Sequence, residues 1–250
     1  MHLRPRTLLY VLLALPLGLA ALVAVEVVVA LNGDYLRHAD YEIDFTTSEG
    51  SGTPLRLAVL GDSLVEGVGA SDAERSLPGQ IASKVADQSG RAVHVTGFGV
   101  SGAVTREVFE QLDQIEPGRF DAIVIEIGSN DVTHRTRLKP LEHDTRTMLA
   151  RAKELAPLVV LGSSGRLDTP IFLPPLRQIV VHRATQIREV QGNVASELDV
   201  PFMNVADDVA PTYESTAGSD SRDRFHPSDV GYEIWARPLA DLVVEGIDEG

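Results

Sequence analysis

The 250-residue chain contains no cysteine. That excludes disulfides, a thiol nucleophile and thiolate metal sites, and it leaves the cellular compartment open. Basic residues are scarce: 22 Lys and Arg stand against 36 Asp and Glu, a net charge of −14. Binding a phosphate backbone needs a basic footprint, so nucleic acid is not expected as a partner. There is no G-x-x-x-x-G-K-[ST] loop, which weighs against a nucleotide-binding reading of the glycine-rich turns. Internal repeats are absent, and the seven histidines show no metal-ligand spacing. No metal and no cofactor are therefore expected.

What the chain does have begins at its N-terminus. Leu8 to Leu31 is almost wholly apolar, and Glu26 is its one charged residue. As a helix this run would reach roughly 36 Å, against roughly 30 Å of hydrocarbon core. Arg4 and Arg6 precede it, so the positive-inside rule puts the N-terminus in the cytoplasm and the rest outside. The rival reading is a signal peptide cleaved after Val28-Val29-Ala30, giving a secreted protein. A signal peptide's apolar region is about 7–15 residues, shorter than this one, so an uncleaved anchor is expected. Residues 1–31 are thus assigned to an anchor or signal segment, 32–54 to a polar tether with one short ordered piece around Tyr41 to Phe45, and 55–250 to a single domain.

Within that domain, apolar runs alternate with helix-like segments. Strands are expected at Leu55–Leu60, Ala92–Phe98, Ala122–Ile127, Leu158–Leu161 and Phe202–Val205. Three contain continuous apolar runs, which suits strands covered on both faces. Helices are expected over 76–89, 103–115, 140–155, 178–198 and 229–246. The alternation predicts a doubly wound α/β domain with a mostly parallel, five-stranded sheet. In such sheets ligands sit at the carboxyl ends of the strands. Four glycine-bearing turns would gather there: Gly61-Asp62-Ser63, Gly97 to Gly102, Gly128-Ser129-Asn130-Asp131 and Gly162 to Gly165.

Ser63 sits at a strand-to-helix turn, where free N–H groups and partial positive charge accumulate. A serine hydroxyl needs a general base, and the base needs an orienting partner. His226 differs from the other histidines in lying in a loop three residues after Asp223, just before the last helix. An Asp at that spacing can reach Nδ1 and leave Nε2 free to face a serine. A developing oxyanion also needs donors. Gly99 can bring a backbone N–H close because it has no side chain, and Asn130 at a strand end can offer its amide. Each of these alone has a plain structural reading: an N-cap serine, a tight-turn glycine, an Asx-turn asparagine.

Together, Gly61-Asp-Ser-Leu64, Gly97-Phe-Gly-Val-Ser-Gly102, Gly128-Ser-Asn-Asp131 and Asp223-Arg-Phe-His226 occur in an order that resembles the SGNH hydrolase superfamily, also called the GDSL esterase/lipase family. The likeness spans about residues 55–245. It implies a three-layer α/β/α sandwich of flavodoxin-like type and ester hydrolysis. Ser63 would be the nucleophile and, with Gly99 and Asn130, an oxyanion donor; His226 would be the general base, oriented by Asp223. One departure is Gly97, where family members often carry Asn. Asp62 and Asp131 read as turn-holding residues.

Between the fourth strand and the next helix lies an apolar, proline-rich stretch running from Arg166 to Leu176. Ile171, Phe172, Leu173 and Leu176 are expected to line an acyl-binding wall, with packing onto the domain or a membrane as the alternative. The expected substrates are small-molecule, lipid or lysolipid esters, or O-acyl groups of envelope glycans. The competing reading is a non-catalytic surface protein that binds a glycan or partner on the same fold.

Overall fold

A computed structural model describes residues 5–249 except 49, 164, 166, 167 and 170; for residues 5–13, 15 and 31 it describes backbone only. In chain order the elements are α1 (Pro5–Leu31), β1 (Asp44–Thr46), β2 (Ser51–Gly61), α2 (Ser63–Glu66), α3 (Leu77–Ser89), β3 (Arg91–Gly97), a 3₁₀ turn (Thr105–Glu107) running into α4 (Val108–Leu112), and β4 (Ala122–Glu126). There follow α5 (Ser129–Thr133), α6 (Leu138–Leu155), β5 (Leu158–Gly162), α7 (Leu176–Glu197), β6 (Phe202–Met203), α8 (Val205–Asp208), α9 (Ala210–Ser215) and α10 (Asp229–Asp248).

The sheet order is β1-β3-β2-β4-β5-β6. The five expected strands are all present and mutually parallel. A sixth, β1, pairs antiparallel with β3 at the edge, with Phe45 opposite Val95. It is too short for its periodicity to announce a strand, and it exists because β3 offers it an open edge.

Alternation along β2 explains the layers. Leu57 and Val59 face a core shared with α3 and α10, including Ile81, Tyr232 and Leu239. Ala58 and Leu60 face the other core, shared with α4, α6 and α7 through Leu112, Leu149 and Val194. Successive strand residues point to opposite faces, so a continuous apolar run serves two cores at once. The result is the α/β/α sandwich. Helix ends follow local chemistry: the Ser76 hydroxyl accepts from Gly79 N at the start of α3, and Gly90 closes it at φ +68°.

A third cluster lies beside the sandwich. Phe172, Leu176, Val180 and Ile187 pack with Leu141, and Val23 and Ala30 of α1 lie against them. Glu26 belongs to the same contact. It is buried, and its Oε2 accepts from Leu176 N at 2.9 Å. Elsewhere, from Leu17 onward, α1 exposes Leu17, Leu19, Leu22, Val25, Val28 and Val29. Among the described residues no helix is long and apolar enough to cross a membrane. Much of the expected Leu8–Leu31 span falls on residues whose side chains lie outside that description, as does Arg4 entirely.

Candidate active site

The turns at the carboxyl ends of β2, β3 and β4 meet the loop before α10. Gly61 has φ +154°, and a Cβ there would lie 2.0 Å from Glu126 O, so only glycine fits between β2 and β4. Gln111, buried on α4, locks this turn from outside. Its Oε1 accepts from Gly61 N and its Nε2 donates to Gly61 O, both at 2.8 Å. Asp62 caps α2 by accepting from Leu64 N at 3.1 Å. Ser63 therefore stands as the first residue of α2, almost fully buried.

The loop before α10 is a tight hairpin. Ser221 N donates to His226 O, and Ser228 N donates to Ser219 O. Arg224 turns the chain at φ +59°. This folds Asp223 onto His226: Oδ2 lies 2.7 Å from Nδ1. On the far side of the imidazole, Nε2 lies 3.1 Å from Ser63 Oγ, across 163 residues of sequence. Asp223 Oδ1 accepts from Ser221 Oγ, Phe225 N and His226 N at 2.8–3.0 Å. Burial pushes the Asp223 carboxyl up, but the His226 side chain and these donors outweigh it and hold the group far below the usual carboxylate range. An ionised Asp223 favours the imidazole tautomer with Nδ1 protonated and Nε2 available as an acceptor. Such a serine–imidazole–carboxylate chain can transfer a proton from Oγ to Nε2.

The donors expected for an oxyanion are placed unevenly. Among the described residues nothing accepts from the N–H of Ser63 or of Gly99. Gly99 is pressed onto α2, since a Cβ there would lie 2.1 Å from Glu66 N. Asn130 lies on α5 beside them, but its Nδ2 donates to Asp62 Oδ2 at 3.2 Å and to Ala103 O at 3.0 Å. Both amide hydrogens are thus engaged, which the sequence could not reveal. At Gly97, the departure from the family pattern, a Cβ would lie 3.0 Å from the Ile43 side chain, and the N–H donates to Ile43 O.

Phe172 and Leu176, expected in an acyl wall, are instead buried in the cluster with α7 and α1, and Ile171 packs at its edge. Leu173 faces solvent. None of the four lines the pocket at Ser63, which is bounded by Leu64, Asn130, Thr169, Phe225, His226 and Trp235, among others. The cluster that holds Ile171, Phe172 and Leu176 meets α1 instead: Val23 and Ala30 pack against it, and Glu26 accepts from Leu176 N. Ser164, Arg166, Leu167 and Pro170 of that loop lie outside the described residues.

Two acids under the site carry unusual charge states. Burial, opposed by the Leu64 N–H and reinforced by the charge of Asp131, pushes Asp62 up to about 7. Burial first, and then the Asp62 charge, pushes Glu126 well above its ordinary 4.5. Among the described residues, neither of the buried Glu126 carboxylate oxygens has a hydrogen-bond partner. Gly162 makes room for that carboxyl, since a Cβ there would lie 1.7 Å from Oε2. A carboxyl whose folded value lies above its unfolded one favours the folded state at pH below 4.5, and that contribution is lost as pH rises from there toward the folded value. Glu126→Gln, neutral at every pH, is expected to gain stability relative to the natural protein as pH rises from 5 to 8. The gain should reach a few degrees in Tm, since 1 kcal/mol moves Tm by about 2–4 °C in a chain of this size. Melting both proteins across that range checks it; a Tm difference that does not vary with pH would contradict an uncharged Glu126.

Residues 59–234 match the GDSL-like Lipase/Acylhydrolase family model. Over 206 residues the chain is 28% identical to the GDSL-like esterase Rv1075c of Mycobacterium tuberculosis. That match takes in 78% of this chain and 64% of the relative, so the chain spans under two thirds of the relative's length. Among solved structures, an acetylxylan esterase from Geobacillus stearothermophilus is 20% identical, with a TM-score of 0.59 over 79% of this chain and 96% of that one. A lipase/acylhydrolase from Enterococcus faecalis is also 20% identical, with a TM-score of 0.60 over 76% of this chain and 96% of that one. At that identity the two structures share the fold with this chain.

Proposed function

The chain belongs to the GDSL-like Lipase/Acylhydrolase family, and we propose that it is a carboxylic ester hydrolase working through Ser63, His226 and Asp223. The reading is carried by one observation, the unbroken line of contacts from Ser63 Oγ through both imidazole nitrogens to Asp223. Ser63 Oγ attacks the acyl carbonyl carbon as its proton passes to His226 Nε2. The carbonyl electron pair moves onto oxygen, facing the N–H groups of Ser63 and Gly99. The tetrahedral intermediate expels the alcohol, which takes the proton from Nε2 and leaves the acyl group on Ser63. A water then gives a proton to Nε2 and attacks the acyl carbon. Collapse releases the carboxylic acid and returns the proton to Oγ.

Asn130 is the third oxyanion donor in this reading. An oxyanion would take over one of its two amide hydrogens, and the contact to Asp62 is the longer of the pair. Catalytic hydrogen bonds commonly tighten only when the substrate is bound. Asn130→Ala is expected to lower kcat by roughly 10²–10³-fold with KM little changed. Steady-state kinetics on a p-nitrophenyl ester measure this, and an Asn130→Ala protein with full kcat would remove Asn130 from the oxyanion site.

The substrate class is proposed as lipid or lysolipid esters or O-acyl groups of envelope glycans, presented outside the cytoplasm. The apolar side chains that α1 leaves exposed and the Arg4 and Arg6 before them support α1 as a membrane anchor. The test is the full chain in a membrane fraction washed at alkaline pH, assayed on acyl esters of several lengths, acetylated glycans and lysophospholipids. Activity that stays with the membranes fits the anchor; activity released at reduced mass fits the cleaved alternative. No turnover of any ester would favour the non-catalytic binding protein.

A further inference from the structure

Residues 32–41, between α1 and the sheet, lie across the loops that carry the proposed machinery. The Tyr35 ring packs on Phe225 with centroids 5.5 Å apart, and its Oη donates to Ala30 O at 2.6 Å. The next residue, Leu36, donates its N–H to Asp223 Oδ2 at 3.0 Å. Further along, Ala39 N donates to Glu66 Oε1 at 3.2 Å. The other oxygen of Glu66 accepts from Ser101 N at 2.7 Å, two residues beyond Gly99. Tyr41 Oη then donates to Gly67 O at 2.8 Å, at the end of α2.

We propose that residues 32–41 are a positioning strap for the active site, in which the Leu36 N–H holds the Asp223 carboxylate in register with His226. The proposal rests on the serine–histidine–aspartate reading above. Its geometric core is the division of labour on the carboxylate. Every donor to Oδ1 comes from the 221–226 loop itself. Oδ2, the oxygen that faces the imidazole, accepts from His226 Nδ1 and from Leu36 N. Among the described residues Leu36 is the one donor from outside the loop, 187 residues away in sequence. A carboxylate held only through Oδ1 can pivot about that oxygen, whereas the second anchor fixes the direction of Oδ2. Glu66 extends the same strap to the oxyanion side by bridging Ala39 to Ser101. Leu36 does not touch the reacting atoms; it acts through Asp223.

The test is carried out on the full chain in detergent micelles with p-nitrophenyl acetate. Leu36 is replaced by its α-hydroxy acid analogue, which keeps the side chain and puts oxygen where the N–H was. The expected result is a kcat lower by roughly 10-fold, the size of one lost hydrogen bond to a charged group, with KM unchanged. The acidic limb of the kcat/KM profile should also move to lower pH, because a carboxylate free to pivot about Oδ1 favours the protonated imidazole less. Asp62, Tyr213 and Asp220 line the same pocket, and Tyr35 and Tyr232 feel the Asp223 charge; the replacement leaves all five in place. Leu36→Ala keeps the N–H and should keep the natural acidic limb. If the backbone ester does not fold, Tyr35→Ala decides: it should lower kcat and move the limb, with Tyr35→Phe restoring both through its ring contact. Natural kcat and limb in the ester variant, or in Tyr35→Ala, overturn the strap while an inactive Ser63→Ala upholds the triad. A Ser63→Ala protein that stays active overturns the triad reading first, and the strap with it.

Discussion

Replacing Ser63 with alanine is expected to lower kcat on a p-nitrophenyl ester by roughly 10⁶-fold, the effect of deleting the nucleophile from a serine–histidine–aspartate unit. The change should leave the fold intact. Ser63 makes its side-chain contact with His226 Nε2, while the turn around it is held by backbone and by other side chains. Gln111 clamps Gly61, and Asp62 caps α2 through Leu64 N, so nothing that shapes the turn depends on the Ser63 hydroxyl. The expected protein melts within a few degrees of the natural one, is inactive, and no longer reacts with a fluorophosphonate probe that labels the natural protein at Ser63. Both arms matter. Loss of activity together with collapse of the melting transition would say only that the turn had failed. An intact Ser63→Ala protein that still turned over ester at the natural rate would place the chemistry elsewhere.

The second large effect is expected at Asp223. Asp223→Asn preserves the volume but should lower kcat by about 10⁴-fold. The carboxylate accepts five hydrogen bonds, three on Oδ1 and two on Oδ2. An amide can accept on one atom only. With its oxygen on the Oδ1 side, where three donors converge, the NH₂ faces His226 Nδ1 and forces that nitrogen to accept. Nε2 then carries the proton and cannot take another from Ser63. The depressed acidity of Asp223 sharpens the contrast. Its charge in the natural protein persists to well below neutral pH, so acidifying the assay from 7 to 5 should not reproduce the Asn phenotype through Asp223. The kcat/KM profile of Asp223→Asn, compared with that of the natural protein, reads this directly. A variant with natural kcat would show that the imidazole needs no ionised partner here.

The fold was legible where side-chain pattern alone dictates structure. Leu57 to Leu60, Ala122 to Ile125 and Leu158 to Leu161 are apolar at every position, and that leaves little choice but a strand buried on both faces. The same reasoning located α3, α6, α7 and α10 to within two residues. The segment expected as one helix over 103–115 breaks into a 3₁₀ turn and a short α4. There Glu107 folds back to accept from Val104 N, and Thr105 binds Asp131, so local side-chain bonds compete with the helix. The edge strand β1 was legible only as a short ordered piece around Tyr41 to Phe45 and not as a strand, because a three-residue strand is made by its neighbour rather than by its own sequence.

For the candidate site, the sequence by itself determined which residue types stand on which turns: Ser63, Gly99, Asn130, and the Asp223–His226 pair at a spacing that lets one loop join them. Those are local facts, set by residues next to one another in the chain. Only the tertiary structure decided what depends on distant segments meeting. It brought His226 to Ser63 across 163 residues and engaged both amide hydrogens of Asn130. It set Leu36 on Asp223, seated Glu26 against Leu176, and placed Ile171, Phe172, Leu173 and Leu176 outside the lining of the pocket at Ser63. The physical reason is that a backbone N–H or a buried carboxyl carries no sequence signature of its partner. Leu36 reads as any apolar residue, and its contribution lies in a main-chain group whose direction the fold alone sets.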